Sequence, residues 1–397
     1  MKKSKKRTQK GIVFCLFLAL VFQSCTESKI IENSFLSSQD TLRIKMSKVQ
    51  GMGLFLGGAG RADFKDLSNE FANNVTYPEG IDSIQRLELM VDYKPKMDTT
   101  YIEILKGIKN GVPVFVVDEN YNKDFRDDMV REYKEMDWKS TSSLIKCDYM
   151  IFNGEKMVRD SSWLKIGLLG SSLWLGKSEH HKGKLTIDKE EFTVATTEPR
   201  NPNSMSYLFD PRIAIISKSK TEKESIGTRD ILEQGEVLDF NGKYYRFVGI
   251  TNDGSFITLV KDLPLAEKTG TQVGMMAPEY SVVSRKGDTL QSKGLQDKIT
   301  ILANSCGCGG DKESTKAVSD IKKQFGDKAH VLQVDTAIKE ELNTYQIDTD
   351  RAGNEFFYET YRKQYCSRIT YVIGKDRRII DKFKISKWKE ALPEILN

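Results

Sequence analysis

The feature that most constrains the fold lies near the end of the chain, where an apolar run leads directly into two closely spaced cysteines. The run Lys298–Ala303 has the composition of a buried strand. Residues 304–311 follow directly and have the sequence Asn-Ser-Cys-Gly-Cys-Gly-Gly-Asp. In the next stretch, Lys312–Phe325, apolar residues recur near helical spacing, and Gly326 is the expected end of the helix. The cysteines therefore stand between a predicted strand and the start of a predicted helix.

Predicted strands and helices also alternate in the neighbouring sequence. The elements are hairpin strands at Tyr280–Ser284 and Thr289–Gln291, a strand at Ala329–Val334, a helical stretch at Ala337–Leu342, paired strands at Ile369–Ile373 and Arg378–Phe383, and a final helix that Ser386 can cap and that ends near Leu396. From the apolar run onward, the order is strand, helix, strand, helix, strand, strand, helix. This is the order of the thioredoxin fold, and it predicts such a domain over residues 273–397.

Three stretches of this domain resemble the thioredoxin-like and peroxiredoxin-like superfamily of bacterial envelopes. Residues 274–295, with Ala277-Pro278-Glu279-Tyr280, look like the entry segment of that superfamily. Residues 298–311 occupy its strand and active-site position, and residues 368–376 resemble its second active-site loop and the strand that follows. The resemblance implies thiol–disulfide exchange with protein thiols or disulfides, or reduction of a peroxide, and it requires no cofactor.

The cysteine motif departs from both branches of the superfamily. In a gapless alignment Cys308 takes the place of the nucleophile, and Asp311 takes the place of the second cysteine of a CxxC motif. Arg368 stands where thioredoxins have proline, and it resembles the arginine of peroxiredoxins that helps to hold thiolate and peroxide. Ser305, three residues before Cys308, matches the Thr/Ser-x-x-Cys spacing of peroxiredoxins. The resemblance thus implies supporting roles for Arg368 and Ser305.

The position of Cys308 favours its reactive form. Thiolates are stabilised at helix N-termini, where N–H groups are unsatisfied and the helix dipole is positive. In this fold the loop before Ile369 lies against the active-site loop, so we expect Cys366 near Cys308. Cys308 is then the attacking thiolate, and Cys306 or Cys366 resolves the mixed disulfide.

Three other interpretations of the cysteines remain open. Two of the three could form a structural disulfide in a catalytically silent domain, which would leave a binding or scaffold protein. The domain could also act as a thiol peroxidase. Finally, Cys306, Cys308 and Cys366 could bind a soft metal ion.

The start of the chain predicts export. Six basic residues within positions 2–10 precede the apolar run Gly11–Phe22, which has the length of a signal-peptide core and is short for a membrane span. The run ends before Gln23-Ser24-Cys25, which resembles a bacterial lipoprotein signal, where cleavage precedes Cys25 and its thiol takes the lipid. An ordinary signal peptide or an uncleaved anchor is the alternative. We expect a lipid-anchored protein of the cell envelope, outside the cytoplasm, in the outer membrane or facing the periplasm.

The basic excess of the chain belongs to this export signal. Residues 1–24 contribute six basic side chains and no acidic ones, so their removal lowers the formal charge from +5 to −1. A chain with this balance has no electrostatic footprint for nucleic acid. Besides Cys25, residues 25–397 contain Cys147, Cys306, Cys308 and Cys366, too few for a disulfide scaffold of this length.

The remaining sequence predicts an α+β protein of several domains. Residues 1–24 are the signal, residues 25–42 are a polar tether, and residues 43–268 form a β-rich region, with a second subdomain at about residues 185–265 as one option. Within it, residues 236–260 predict a three-stranded meander, because Asn241-Gly242 and Asp253-Gly254 are hairpin turns. Phe125–Trp138 is a candidate helix.

An acidic loop in the β-rich region resembles a degenerate calcium site. Oxygen-bearing side chains alternate along it, and the candidate ligands are Asp118, Asn120, Asn122, Asp124 and Asp128. Lys123 replaces the expected glycine at the sixth position, and Met129 replaces the expected glutamate at the twelfth. An acidic turn without a bound ion is therefore the favoured interpretation, with calcium as the alternative.

Two other features have plain structural interpretations. His180-His181 lies in a stretch rich in Lys, Glu and Gly, which predicts a solvated loop more readily than a metal site. Cys147 stands between Lys146 and Asp148 and is expected to be a half-buried free thiol.

Overall fold

The computed structural model describes residues 40–51, 60–91, 100–137, 140–196, 205–208, 211–217, 231–284, 286–305, 312–335, 345–348, 352–363 and 367–396. All of them belong to the unit Asp40–Asn397. Four residues of the sequence-based site, Cys25, Cys306, Cys308 and Cys366, lie outside the described residues, as does the helical stretch expected at Ala337–Leu342.

The described residues up to 261 form antiparallel sheets. Their strands are β1 (Thr41–Gln50), β2 (Gly60–Arg61), β3 (Lys65–Asp66), β4 (Asp82–Met90), β5 (Tyr101–Lys109), β6 (Val112–Val117), β7 (Arg131–Glu132), β8 (Ile145–Phe152), β9 (Met157–Leu169), β10 (Ser172–Lys177), β11 (Glu179–Ile187), β12 (Glu190–Thr196), β13 (Arg212–Ser217), β14 (Ile231–Glu233), β15 (Val237–Phe240), β16 (Lys243–Ile250) and β17 (Phe256–Lys261). The sheets have the orders β3-β4-β5-β6-β7, β2-β10-β9-β8 and β14-β13-β12-β11-β1-β17-β16-β15.

Tight turns close several of these hairpins. Asn110-Gly111 joins β5 to β6, and Asn241-Gly242 joins β15 to β16, with positive φ at both residues of each pair. This conformation matches the twist of paired strands, and glycine adopts it without steric cost. The meander expected over residues 236–260 is present as β15, β16 and β17.

Two local expectations for this region were wrong. Phe125–Met136 forms turns and the short strand β7 instead of a helix, because Arg131 and Glu132 pair with β6 while Met129 is 62% exposed. His180-His181 lies in strand β11 and is buried, not in a solvated loop. β11 runs between β1 and β12, so neighbouring strands flank the pair on both edges.

The C-terminal residues form a region that contains a two-stranded hairpin, a mixed sheet and helices. Its elements are the hairpin β18 (Ser281–Val283) and β19 (Thr289–Gln291), then β20 (Ile299–Asn304), α1 (Lys312–Phe325), β21 (Ala329–Asp335), β22 (Tyr345–Asp348), α2 (Glu355–Phe357) with a π-helical extension (Tyr358–Arg362), β23 (Ile369–Ile373), β24 (Ile379–Lys384) and α3 (Trp388–Leu396). Short 3-10 turns occur at Leu265–Glu267, Ser292–Leu295 and Ile385–Lys387.

The topology of this sheet confirms the expected thioredoxin fold. The strand order is β22-β21-β20-β23-β24, with β20, β21 and β22 parallel and β23 antiparallel to both of its neighbours. Val318 and Ile321 of α1 pack with Trp388 and Leu392 of α3 in one core cluster. Leu302 and Tyr371 belong to another cluster, together with residues of the β18–β19 hairpin and of α2. The helix at Lys312–Phe325 has the bounds that its sequence predicts.

Ion pairs join the thioredoxin-like region to the preceding strands. Lys382 Nζ lies 2.9 Å from Glu236 Oε1, and Lys363 Nζ lies 2.8 Å from Glu233 Oε2. Burial disfavours the charge of Lys382, but the carboxylates of Glu236 and Glu233 outweigh this effect and raise its pKa. Among the described residues, no helix is long and apolar enough to span a membrane.

Candidate thiol site at the end of strand β20

The candidate site begins where strand β20 ends. Asn304 and Ser305 are both fully buried at this point, and helix α1 begins at Lys312. Cys306 and Cys308 fall between these two described elements in the sequence. The strand-to-helix order that the sequence predicts around the cysteines is therefore present on both flanks.

The side chain of Asn304 ties β20 to the start of β23. Its Nδ2 donates to the carbonyl oxygen of Ile369 at 2.6 Å and to that of Tyr361 at 3.2 Å. One strand residue earlier, Ala303 pairs with Thr370 in the antiparallel register of β20 and β23. The chain on either side of residues 364–366 thus meets the end of β20.

Ser305 occupies a buried polar position beside strand β21. Its N–H donates to the carbonyl oxygen of Val334 at 3.0 Å, and the Nε2 of the buried Gln333 donates to Ser305 Oγ at 3.1 Å. These bonds fix the backbone and side chain of a residue that the sequence assigns to the site.

Arg362 lies against the end of β20, and the sequence analysis did not select it. Its side chain is 1% exposed, and Nη1 donates to the carbonyl oxygens of Ser305 at 2.7 Å and Val334 at 2.9 Å. Asn304 Oδ1 lies 3.5 Å from the same nitrogen. The one sequence signal that could have pointed to Arg362 is its position four residues before Cys366. The surrounding residues 361–364, Tyr-Arg-Lys-Gln, are otherwise typical of a solvated turn.

The two arginines near Cys366 differ in their surroundings. Arg368, which the resemblance assigns to the site, is exposed, and its carbonyl oxygen accepts the N–H of Ile385. Ser367 between Cys366 and Arg368 is buried, and its Oγ accepts the N–H of Ile369 at 3.4 Å. Among the described residues, the buried guanidinium at the end of β20 is therefore that of Arg362.

Aromatic rings surround the π-helical turn that carries Arg362. Tyr361 contacts Tyr280 and Tyr371 edge to face, with ring centroids 5.5 and 5.7 Å apart, and it also contacts Phe357. The hydroxyl of Tyr361 donates to the carbonyl oxygen of Pro278 at 2.6 Å, and burial raises its pKa. This packing holds the turn in place, and Lys363 ends it with a φ of 62°.

The acidic loop satisfies its oxygens largely within itself. Asp118 accepts the N–H groups of Asn122 and Lys123, and Asn122 Oδ1 accepts the N–H of Asp124. Asp124 also binds the guanidinium of Arg126 at 2.5 Å. Among the described residues, no group of three or more His, Cys, Asp or Glu is placed to hold a metal ion. Calcium binding by this loop stays a prediction.

Cys147 lies in the core of the β-rich region. It lies in β8 as a free thiol with no exposed surface, within the core between the sheets that contain β5 and β9, and not half-buried as expected. Burial raises its pKa, and the carboxylate of Glu119 adds to this effect. It is therefore an inert structural thiol.

Comparisons with known proteins give structural likeness alone. No protein-family model and no curated protein matches the chain. The thioredoxin domain of a thiol-disulfide oxidoreductase from Bacteroides vulgatus is 16% identical, over 32% of this chain and 98% of that one, with a TM-score of 0.27. A thiol-disulfide oxidoreductase from Bacteroides fragilis is 16% identical over 30% and 99% of the two chains, with a TM-score of 0.26. A thiol:disulfide interchange protein from a Bacteroides species is 15% identical over 32% and 90%, with a TM-score of 0.27.

Proposed function

We propose that the thioredoxin-like domain exchanges thiols and disulfides, with Cys308 as the attacking thiolate and Cys306 or Cys366 as the resolving thiol. The observation that supports this most is the 2.7 Å hydrogen bond from Arg362 to the Ser305 carbonyl. Ser305 immediately precedes Cys306, and Arg362 lies four residues before Cys366. The bond therefore joins the two chain segments that contain the three cysteines.

The proposed reaction transfers two electrons from the protein to its substrate. The thiolate of Cys308 attacks one sulfur of a substrate disulfide, forms a mixed disulfide and releases the other sulfur as a thiolate. The thiolate of the resolving cysteine then attacks Cys308 Sγ, which forms a disulfide within the protein and releases the second substrate sulfur. The substrate leaves as a dithiol, and the protein is oxidised.

Groups that flank the cysteines in the sequence support the proposal. The helix dipole of α1, which begins at Lys312, is positive at this end and would favour a thiolate. Ser305, with a buried hydroxyl, directly precedes Cys306, and Arg362 and Arg368 lie four residues before and two residues after Cys366 in the sequence. The proposed location outside the cytoplasm, with a lipid on Cys25, fits this chemistry because disulfides persist in oxidising compartments.

Turnover of a model disulfide tests the proposal. The intact, reduced protein is mixed with a small aromatic disulfide, and released thiol is measured over time for the wild type, Cys308→Ser and Cys147→Ser. We expect Cys308→Ser to abolish release and Cys147→Ser to leave it unchanged, since Cys147 is buried. Full activity in Cys308→Ser would exclude Cys308 as the nucleophile, and inactivity of the wild type would favour a scaffold role.

Trapping experiments separate the resolving thiols and the peroxidase alternative. If Cys306 resolves, the mixed disulfide on Cys308 accumulates in Cys306→Ser and not in Cys366→Ser; the reverse pattern assigns Cys366. Adding peroxide to the reduced wild type and labelling sulfenic acid then tests for peroxide reduction. Rapid sulfenic acid formation on Cys308 without disulfide turnover would replace exchange by peroxidase activity.

A further inference from the structure

An open cleft lies at one end of the five-stranded sheet β3-β4-β5-β6-β7, near the turn between β5 and β6. Its volume is about 440 Å³, within the range of about 300–1,000 Å³ that is typical of small-molecule sites. The lining residues come from β3, β4, β5 and β6 and from Tyr133, which directly follows β7. They lie outside both the acidic loop and the thioredoxin-like region, so the proposed thiol chemistry makes no use of this cleft.

Three polar side chains form a row in the cleft. Asp66 in β3 pairs with Gln85 in β4, and Gln85 pairs with Lys106 in β5. Residues that are directly opposite in paired strands share a face of the sheet, and the strands lie about 4.8 Å apart. Gln85 Nε2 donates to Asp66 Oδ1 at 2.6 Å, which orients the carboxamide. A carboxylate, an amide and an ammonium group therefore follow one another along the cleft.

The two charged groups of this row have no ion-pair partner among the residues that the structure describes. Lys106 Nζ lies 4.9 Å from the centroid of the Phe64 ring, a contact that leaves it N–H donors for a ligand. Asp66 would repel an anion in the cleft, and Lys106 would repel a cation. A neutral hydroxyl group instead donates to a carboxylate and accepts from an ammonium group, and such charge-assisted bonds are the stronger kind. The row therefore favours a neutral ligand with several hydroxyl groups.

Apolar and aromatic side chains also line the cleft. Ile108, which is 41% exposed, pairs with Pro113, and the backbone N–H of Tyr133 donates to the carbonyl oxygen of Pro113 at 3.4 Å. The Tyr133 ring contacts Phe115, with ring centroids 6.1 Å apart, and burial raises the pKa of the Tyr133 hydroxyl. This hydroxyl stays protonated at neutral pH, so it can both donate and accept. The cleft thus offers an apolar surface together with the polar row.

A β-bulge shapes the backbone of the cleft. The register of β4 and β5 shifts between Asp82 and Gln85, and Ser83 has a φ of 52°. On the facing strand, a Cβ at Gly107 would collide with Ile81 Cγ2 and with the carbonyl oxygen of Asp82. β4 therefore approaches β5 more closely than a side chain at position 107 allows. Ser83 and Gly107 both line the cleft, so this close packing forms part of its wall.

We propose that the cleft binds a neutral saccharide, whose hydroxyl groups bond to Asp66 and Lys106 and whose C–H groups pack against Tyr133. A pyranose ring combines these two properties, because its hydroxyls lie around the rim and its C–H groups form apolar faces. The two charges belong to strands about 10 Å apart, farther than the ammonium and carboxylate groups of one amino acid, which favours several hydroxyls over a zwitterion. The inference does not depend on the thiol chemistry.

Saturation-transfer NMR on the intact protein tests the inference. The probes are maltose, cellobiose and lactose, with glycylglycine as a zwitterion and sodium acetate as an anion. Lys106→Met and Asp66→Asn each remove one charge of the row, and the control Lys109→Met changes a lysine of the same strand that does not line the cleft. We expect at least one disaccharide to bind the wild type, to bind about tenfold more weakly to Lys106→Met and Asp66→Asn, and to bind Lys109→Met within about twofold of the wild type.

Three results would overturn the inference. The first is the absence of saturation transfer from all three disaccharides to the folded wild type. The second is equal affinity of a disaccharide for the wild type and Lys106→Met, which would place its site elsewhere. The third is transfer from glycylglycine or acetate alone, which would assign the cleft to a charged ligand. Thiol exchange should be unchanged in Lys106→Met, so a failure of the proposed thiol function is distinguishable from a failure of saccharide binding.

Lysine footprinting of the wild type decides the case in which a variant does not fold. Acetylation of Lys106 and Lys109 by N-hydroxysuccinimidyl acetate is followed by mass spectrometry with and without the bound disaccharide. At about ten times its dissociation constant, the disaccharide should slow acetylation of Lys106 about fivefold or more and that of Lys109 less than about 1.5-fold. Equal protection of the two lysines, or none, would overturn the inference.

Discussion

Two buried arginines in this protein have opposite kinds of partners. Arg86 in β4 is 2% exposed, and its guanidinium binds Glu103 at 2.9 Å and Glu88 at 3.2 Å. Arg362 is equally buried, but its Nη1 binds the backbone carbonyl oxygens of Ser305 and Val334. In the β-rich region the guanidinium of Arg86 binds carboxylates, whereas at the end of β20 the Nη1 of Arg362 binds backbone carbonyl oxygens.

The comparison shows two ways in which this protein holds a buried guanidinium. Carboxylates that surround Arg86 cancel most of its field, so it stabilises the sheet and little else. Carbonyl oxygens solvate a guanidinium without neutralising it. The bonds of Arg362 Nη1 tie the turn that carries this residue to the ends of β20 and β21.

The largest effect should come from breaking the Arg86 pair. Arg86→Met leaves Glu103, which is 1% exposed and whose pKa burial already raises, without its guanidinium. We expect a loss of about 3–5 kcal/mol in the free energy of unfolding, measured by urea denaturation. The double variant Arg86→Met with Glu103→Leu should recover most of this loss. A loss below about 1 kcal/mol in Arg86→Met would contradict the structural role.

The Lys382–Glu236 pair should have the next largest effect and tests charge matching between the thioredoxin-like region and the strands that precede it. Glu236→Gln leaves a buried ammonium with weaker compensation from Glu233, and we expect a loss of about 2–3 kcal/mol at pH 7. The folded-state pKa of Lys382 is raised above its ordinary value of 10.5. The pair therefore contributes its full stabilisation of the folded state below that pH, and this stabilisation is lost as the pH rises further. The difference between wild type and Glu236→Gln should therefore shrink above about pH 10.5; a difference independent of pH would contradict this origin.

Much of the fold follows from local sequence signals. Lys312–Phe325 forms the expected helix because its apolar residues share one face and Gly326 ends it. The Asn241-Gly242 turn sets the β15–β16 hairpin, since both residues adopt positive φ. The helix predicted at Phe125–Trp138 was wrong. This stretch has apolar residues near helical spacing, but the asparagine- and aspartate-rich residues beside it form side-chain-to-backbone turns.

A smaller effect is expected from Arg362→Met on stability. The variant removes the hydrogen bonds to the carbonyl oxygens of Ser305 and Val334, so we expect a loss of about 1–2 kcal/mol in urea denaturation. The exposed Arg368→Gln should change stability by less than about 0.5 kcal/mol. A loss in Arg362→Met as large as that in Arg86→Met would make the two arginines alike and would remove the contrast.

The last prediction concerns a buried carboxyl oxygen in the acidic loop. Burial raises the pKa of Asp128 to about 6, and its Oδ2 has no hydrogen-bond partner among the described residues. Because the folded pKa exceeds the ordinary value of 3.8, ionisation destabilises the protein as pH rises through this interval. Asp128→Asn should therefore stabilise by on the order of 1 kcal/mol at pH 7, after allowance for solvent screening, and by nothing at pH 3.

Calcium provides the control for the Asp128 experiment. If the loop has no ion, calcium chloride or a chelator should leave the melting temperature of the wild type unchanged. A calcium-dependent rise that disappears in Asp128→Asn would establish the alternative prediction, a bound ion that neutralises these oxygens.

Only part of the candidate site could be predicted from the sequence. Ser305 could be assigned because a motif spacing includes it, and its place at the end of β20 followed from the strand before it. Arg362 could not, because its burial depends on the tertiary packing of Tyr361 against Tyr280 and Tyr371. His180 and His181 were misassigned for the same reason, since lysines flank them in sequence while strands flank them in space.

The most direct test of the thiol site is a redox titration of the intact protein in glutathione buffers, with disulfides mapped by mass spectrometry. We predict one two-electron couple in which Cys308 is bonded to Cys306 or to Cys366, while Cys147 stays a thiol at every ratio. A protein in which Cys306, Cys308 and Cys366 all remain thiols across the titration, or in which Cys147 joins a disulfide, would contradict a redox site at the end of β20.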